Sequence, residues 1–322
     1  MRTIRGVDVA ALGDQFDRMV PNRVLLLDGD GAAYRSSATV KTLDTAVRRF
    51  VKEVLTDQFL TGAEEVRVHL TGQGGQKALR GLYPTRKPYQ GNRKGKPKPA
   101  LLEPLRELLG TERRFEYGFP ENIVVHLHRY WEADDALVQD GVLYGARSVT
   151  KSDDKDLRLT PAPFYESEKG EIDVLPEGDR FGWIDAGYTP SLSLRVKGHG
   201  TKFFWAQMLM GDTADHVRGL ERWEGKLIAE AGTLDVLGPV EDENEAANRI
   251  LWAYAKIGQD ALAEAQVLWL RRSEQDCAYR YLCELDLDKN LRTWLDQLND
   301  YHQAVIKQKL EERDAEASED PT

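Results

Sequence analysis

The chain has 322 residues, 41% of them apolar and 30% charged, enough to bury one large core or two ordinary ones in a globular protein. No run of about 18 apolar residues occurs, and Arg2, Arg5, Asp8, Asp14 and Asp17 stand where a secretory leader would be apolar, so a cytoplasmic protein without a membrane partner is expected. The formal net charge of −10 argues against a protein that coats nucleic acid nonspecifically, and two cysteines, Cys277 and Cys283, are too few for a disulfide framework or a cysteine metal site.

Residues 1 to 20 read as a leading helix, with Val9, Leu12, Phe16 and Val20 at helical spacing before Pro21 and Asn22. Val24-Leu25-Leu26-Leu27 is continuously apolar, the pattern of a central strand buried on both faces, and Asp28 stands at its carboxyl end. A helix from about Leu43 to Phe59 and a second strand from Val66 to Leu70 follow. This alternation predicts a mostly parallel sheet with helices on both faces, where ligands collect beyond the carboxyl ends of the strands.

From Lys77 to Lys98 there are eight Lys or Arg and no acid. Prolines and glycines keep this stretch irregular until a helix begins near Ala100 and runs through Leu101, Leu105, Leu108 and Leu109. Its cations can neutralise phosphates and its tyrosines can stack on unpaired bases. Ile123-Val124-Val125 is a third strand and Arg147 to Thr150 a weaker fourth, while residues 161 to 190, rich in Pro, Gly and aromatics, read as small strands and loops at the sheet edge. From Thr201 the pattern is helical, including 244–258 and 261–272. Phe203-Phe204-Trp205 reads as core, and Trp252, Trp269 and Trp294 are spaced for helix packing. A domain boundary is placed near residue 200. The tail from Glu311 to Asp320, with six acids and one Arg, reads as a frayed helix end or a disordered segment.

Four acidic clusters punctuate this plan: Asp28-Gly29-Asp30, Glu132-Ala133-Asp134-Asp135, Asp153-Asp154-Lys155-Asp156 and Asp212-Thr213-Ala214-Asp215. On a helix Glu132 and Asp135 share a face, leaving Ala133, Ala136 and Leu137 for a core. Carboxylates that converge raise one another's pKa values unless cations intervene. Two hard divalent ions answer that need, and an ion pair about 3.5–4 Å apart can clamp the attacking and leaving oxygens of an in-line displacement. Mg²⁺ is the expected ion, with Mn²⁺ as an alternative. His126 and His128 alternate on a strand with no third soft ligand nearby, and His216 reads as a helix-face cap or a DNA contact.

The order Asp-Gly-Asp after a first strand, Tyr-Gln-Gly-Asn-Arg-Lys at 89–94, Glu-Ala-Asp-Asp, Asp-Lys-Asp-Leu at 154–157 and Met-Gly-Asp-x-x-Asp at 210–215 before Arg-Gly-Leu resembles the 5′→3′ exonuclease and flap endonuclease superfamily, in particular its bacteriophage branch. The resemblance runs from about residue 24 to 235. It implies an α/β PIN-like nuclease domain over 1–200 with a basic arch at about 77–100, and a helical DNA-binding domain over 201–300 containing a helix-two-turn-helix element at about 211–235, ahead of the acidic tail at 301–322. It also implies metal-dependent 5′→3′ exonuclease and flap endonuclease activity on duplex DNA with a 5′ end, nick or flap, with RNA:DNA hybrid or RNA primers as further substrates. The setting would be phage-type replication or recombination in a host cytoplasm. Asp28, Glu132, Asp134, Asp135, Asp154, Asp156, Asp212 and Asp215 would stand where the family has its metal-site carboxylates, the first four mainly for a first Mg²⁺ and the last four for a second, directly or through water, with Asp30 and Asp153 as weaker candidates. Arg93, Lys94 and Lys87 would then neutralise the scissile phosphate, and Tyr83, Arg86, Tyr89, Asn92, Lys96, Lys98, Gly219 and Lys226 would contact DNA.

Three departures from the family pattern stand out. Leu70-Thr71-Gly72-Gln73 lacks the acid that many relatives carry after the second strand. Gln90 stands where the family has a Lys. Arg222 and Glu224 replace two glycines of the hairpin. They leave open a catalytically weakened module that only holds DNA ends. A haloacid-dehalogenase-type phosphatase, with Asp28 as nucleophile and Asp30 as acid, is a further alternative.

Overall fold

The computed structural model describes residues 3–4, 7–8 and 19–319. Thr3–Ile4 (β1) pairs with Val7–Asp8 (β2) as an antiparallel ribbon, which replaces the expected helix over that part of 1–20. Val9, Leu12 and Phe16 of that expectation lie outside the described residues, and Val20 opens a strand. By contacts the chain divides into two units, residues 1–75, 97–157 and 162–174 in one and 76–96, 158–161 and 175–322 in the other.

The first unit is built on the apolar run at 24–27, which forms the middle of β3 (Val20–Asp28). Pro21 has no N–H to give a ladder, Asn22 has a positive φ of 62°, and the pairing register shifts between Val20 and Val24. Beyond that irregularity β3 is flanked on both sides by parallel partners, β4 (Ala63–Thr71) and β6 (Ser148–Lys151). β5 (Ile123–His128) extends the sheet on one edge; β7 (Phe164–Glu166) and the antiparallel β8 (Glu171–Asp173) extend it on the other, giving the order β5-β4-β3-β6-β7-β8. This is the mostly parallel α/β sheet expected from the strand and helix alternation.

Helices α1 (Gly29–Ala38), α2 (Leu43–Thr61) and α3 (Leu102–Leu109) cover one face. Their buried Ala33, Val47, Phe50, Val54 and Leu105 join Leu25, Leu27, Val66 and Val68 in one apolar core. Each such side chain contributes about 1.5–3 kcal/mol on burial. Helix α2 is capped by the Thr42 hydroxyl at its start and by left-handed Gly62 at its end. On the other face α4 (Ala133–Tyr144) packs against β3, β4 and β6. The carboxyl ends of β3, β4, β5 and β6 therefore feed directly into Asp28, Thr71, the segment before Glu132, and Ser152-Asp153-Asp154.

The second unit holds the antiparallel pair β9 (Trp183–Tyr188) and β10 (Leu194–His199) and the helices α5 (Thr201–Met210), α6 (Glu230–Leu237), α7 (Glu243–Lys256), α8 (Ala261–Leu268), α9 (Ala278–Glu284) and α10 (Lys289–Glu319). Phe203, Phe204 and Trp205 are buried as expected, and Trp269 stacks on Tyr281 with ring centroids 4.1 Å apart. Trp252, by contrast, is an exposed residue of α7. Between α5 and α6 the stretch 211–229 is turns, closed by bridges between Asp212 and Val217 and between Trp223 and Lys226. Over 201–237 the order is thus helix, turns, helix. The acidic stretch from Glu311 continues α10 through Glu319 rather than dissolving.

One position controls the turn from sheet to site. Helix α1 starts at Gly29 with no intervening loop, and a methyl there would lie 2.6 Å from the His69 carbonyl oxygen. Gly29→Ala is therefore expected to lower stability by about 1–3 kcal/mol, the usual cost of overpacking, measured as a fall in the urea midpoint at constant slope.

Candidate metal centre and basic segment

Asp28 caps α1. Its Oδ1 accepts from the backbone N–H of Asp30 at 2.9 Å and of Gly31 at 3.4 Å, and its Oδ2 accepts from the Ser152 hydroxyl at 2.7 Å. The same hydroxyl oxygen accepts from the Asp154 N–H at 2.8 Å, and the Asp154 carboxylate from the Asp156 N–H at 2.9 Å. A chain of short hydrogen bonds thus runs from the end of β3 across the turn after β6.

Glu132 is the N-cap residue of α4, but its side chain makes no capping bond. Ala133, Ala136 and Leu137 are buried as the helical spacing requires, and Asp135 on the same helix is 0% exposed. Asp134 has its pKa raised well above the ordinary carboxylate value, first by burial and then by the negative charges of Asp154, Asp28, Glu132 and Asp30. That list places five carboxylates of the first unit within electrostatic reach of one another. Asp154, read from sequence as a ligand of the second ion, is among the charges acting on Asp134.

The rim of this group carries counter-charge. Arg106 pairs with Asp30 at 2.9 Å, Arg35 pairs with Asp153, and Lys155 pairs with Asp156 at 2.7 Å. Asp30 and Asp153, the two weaker candidates, are therefore each held by an arginine. Burial still pushes the Asp30 carboxyl up, although Arg106 pulls it down. The donor set around Asp134 is entirely oxygen and strongly negative, which fits hard divalent cations such as Mg²⁺ or Mn²⁺.

Nearby histidines form something else. His69 Nδ1 lies 2.9 Å from His128 Nε2, His69 Nε2 lies 3.0 Å from Asp140, and Arg67 donates to Asp140 at 2.6 Å. Burial, followed by the His69 charge, lowers His126 and His128 to about 4. Burial would raise Asp140, but the bonds from His69 and Arg67 hold it at about 2. His126 and His128 belong to a neutral stack on the sheet, tied through His69 to an anchored carboxylate.

In the second unit the basic segment 76–96 is fastened to the 212–216 loop. Gln90 donates from its backbone to the Asp215 carbonyl at 3.0 Å and from Nε2 to the Asp215 carboxylate at 3.0 Å, while its Oε1 accepts from Lys77. Arg93 pairs with Asp215 at 2.9 Å, Tyr89 reaches it at 3.5 Å, and Asn92 donates to the Thr213 carbonyl at 2.6 Å. His216, left-handed at φ 64°, contacts the Pro88 carbonyl at 3.0 Å instead of a helix face. Asp212 accepts the N–H groups of Ala214 and Asp215.

Two residues of the basic run are structural. Arg80 is 1% exposed and donates to the Trp269 carbonyl, and Tyr83 is 9% exposed with its ring edge-on to His302. Tyr83 is thus packed away from bases, a correction to its reading as a stacking residue; nothing in its Leu-Tyr-Pro surroundings separates it from Tyr89. Arg86 pairs with Glu221, and Lys98, which falls in the first unit, pairs with Glu103. Lys87, Lys94, Lys96 and Lys226 are exposed. Gly219 has φ 68°, and a methyl on it would lie 2.2 Å from the Gly211 nitrogen, so its lack of a side chain is needed to close the turn after α5.

No family model and no curated protein matches the chain. Among solved structures it is similar to the bacteriophage T5 flap endonuclease in a pseudo-enzyme–product complex with DNA and metal ions, at 15% identity and a TM-score of 0.46 over 88% of this chain and 99% of that one. It is likewise similar to the T5 D15 protein co-crystallised with metal ions, at 17% identity and a TM-score of 0.44 over 90% and 98%, and to T5 5′-exonuclease with bound zinc, at 14% identity and 0.41 over 88% and 99%.

A carboxyl whose folded pKa lies above its unfolded one favours the fold while protonated and opposes it once pH rises past the unfolded value. Asp134→Asn should therefore stabilise the chelator-treated protein at neutral pH by about 0.5–2 kcal/mol, as when a functional site is relieved of strain. The gain over the parent should vanish as pH falls to about 4, near the unfolded Asp value. Denaturant midpoints across pH check both statements.

Proposed function

We propose that this protein is a divalent-metal-dependent nuclease that hydrolyses phosphodiester bonds at DNA 5′ ends, acting as a 5′→3′ exonuclease and on flaps. The observation that carries the reading is the convergence of Asp28, Glu132, Asp134 and Asp154 at the carboxyl ends of parallel strands, with Asp134 pushed up by its neighbours. In this reading those four residues with Asp135 and Asp156 hold Mg²⁺, and the motif order extends the set to Asp212 and Asp215. Divalent cations held there supply positive charge at the attacking and leaving oxygens of the phosphodiester.

The chain's own residues do the rest. Ser152 fixes the Asp28 carboxylate, and the raised pKa of Asp134 makes protons compete with a cation there, so metal affinity would rise with pH. Lys87, Arg93 and Lys94 neutralise phosphate, while Tyr89, Asn92, Arg86, Lys96, Lys98, Gly219 and Lys226 form the proposed DNA track. The proposal also takes 1–200 as the nuclease domain and 201–300 as the DNA-binding domain with its hairpin at 211–235. A phage-type role in a host cytoplasm, with RNA:DNA hybrid as an additional substrate, belongs to the same proposal.

The deciding experiment is incubation with a 5′-labelled flap duplex with and without Mg²⁺, reading product lengths; metal-dependent release of nucleotides removes the binding-only alternative. Asp135→Ala and Asp154→Ala should each cut the rate by more than the ~10–100-fold typical of losing an outer-shell partner, while DNA binding in Ca²⁺ persists. Normal rates in either variant would contradict the ligand assignment.

The basic segment gives a separate expectation. Lys94→Ala and Lys96→Ala should each reduce the log–log salt slope of DNA binding by about 0.9 on duplex or about 0.7 on single strand. An unchanged slope would identify the run as a solvated loop.

A further inference from the structure

Thr71 ends β4, and its neighbours form a continuous chain. Its N–H donates to Asp30 Oδ1 at 3.0 Å. Arg106 holds Asp30 from α3 at 2.9 Å. The Thr71 Oγ1 in turn accepts the backbone N–H of Ala133, the first residue of α4, at 2.9 Å. Helix α4 would ordinarily be capped by its own N-cap side chain, yet Glu132 makes no such bond.

We infer that Thr71 is a positioning residue of the metal centre: as a cap supplied from a neighbouring strand, it fixes the start of α4 so that Glu132, Asp134 and Asp135 present their carboxylates to cations. An orphan N–H at a helix start must find an acceptor. Here the acceptor is the Thr71 hydroxyl, on a residue whose backbone N–H is itself held by Asp30. Arg106, Asp30, Thr71 and Ala133 thus link α3, α1, β4 and α4.

This inference rests on the metal-centre reading above. The test is Mn²⁺ titration of the DNA-free protein, following free Mn²⁺ by electron paramagnetic resonance, with circular dichroism melts to confirm that each variant is folded at the working temperature. Thr71→Val, nearly isosteric but unable to hydrogen-bond, should weaken Mn²⁺ binding by ~10–100-fold, as loss of an outer-shell partner does. Thr71→Ser should bind close to the parent, a rescue that a role confined to packing of the β-branched methyl would not give. Asp30→Asn, which keeps Thr71 but weakens the carboxylate that holds its backbone N–H, should shift binding in the same direction by a smaller factor and serves where Thr71→Val does not fold. Folded Thr71→Val with parental Mn²⁺ affinity, or Asp30→Asn with parental affinity where that variant stands in, overturns the role of Thr71. A parent protein that binds no Mn²⁺ overturns the metal-centre reading itself.

Discussion

Like-charge repulsion at the carboxyl ends of the parallel strands is the constraint that the first unit is arranged around. The fold does not remove it but distributes it. At the rim each carboxylate has a cation: Arg106 on Asp30, Arg35 on Asp153, Lys155 on Asp156. Asp28 is satisfied by the N–H groups at the start of α1 and by Ser152, a placement that the positive end of the helix also favours. Asp134 feels four negative neighbours, Asp154, Asp28, Glu132 and Asp30, a concentration of negative charge that favours cations from solution.

Such a centre is tolerable because the sheet beneath it is strongly apolar. Leu25, Leu27, Phe50, Val66, Val68 and Leu105 are buried in one cluster with α1, α2 and α3, and each contributes about 1.5–3 kcal/mol. The tight junction at Gly29 converts that rigidity into placement. Because α1 begins where β3 ends, Asp28 has no loop to move on, and the sheet sets its position directly.

The strands, helices and acidic clusters of the first unit were legible because their signals are local. The Val24–Leu27 run, the helical spacing from Leu43 and the crowding of carboxylates at 132–135 each carry their meaning within a few residues. What could not be read depended on partners far along the chain. Tyr83 looks like any tyrosine of a basic loop until His302 is set against its ring, and Arg80 looks like a phosphate-binding cation until the Trp269 carbonyl accepts from it. Thr71 carries no signal of its own in the sequence; its bonds to Asp30 and Ala133 span 41 and 62 residues. The turn-rich stretch 211–229 was read from likeness rather than from periodicity, and its form follows from Gly211 and Gly219 packing backbone to backbone.

The glutamine at position 90 has a physical account within the second unit. The Gln90 amide accepts from Lys77 through Oε1 and donates to Asp215 through Nε2, two opposite roles that a side-chain amide can play at once. An ammonium at that position could still donate to Asp215, but it would place a second positive charge against Lys77 and leave that lysine without its acceptor. Arg93 meanwhile supplies Asp215 with the full charge that the amide does not. Cations therefore flank position 90, Lys77 on one side and Arg93 on the other, and the glutamine bonds both Lys77 and the Asp215 carboxylate that Arg93 pairs with.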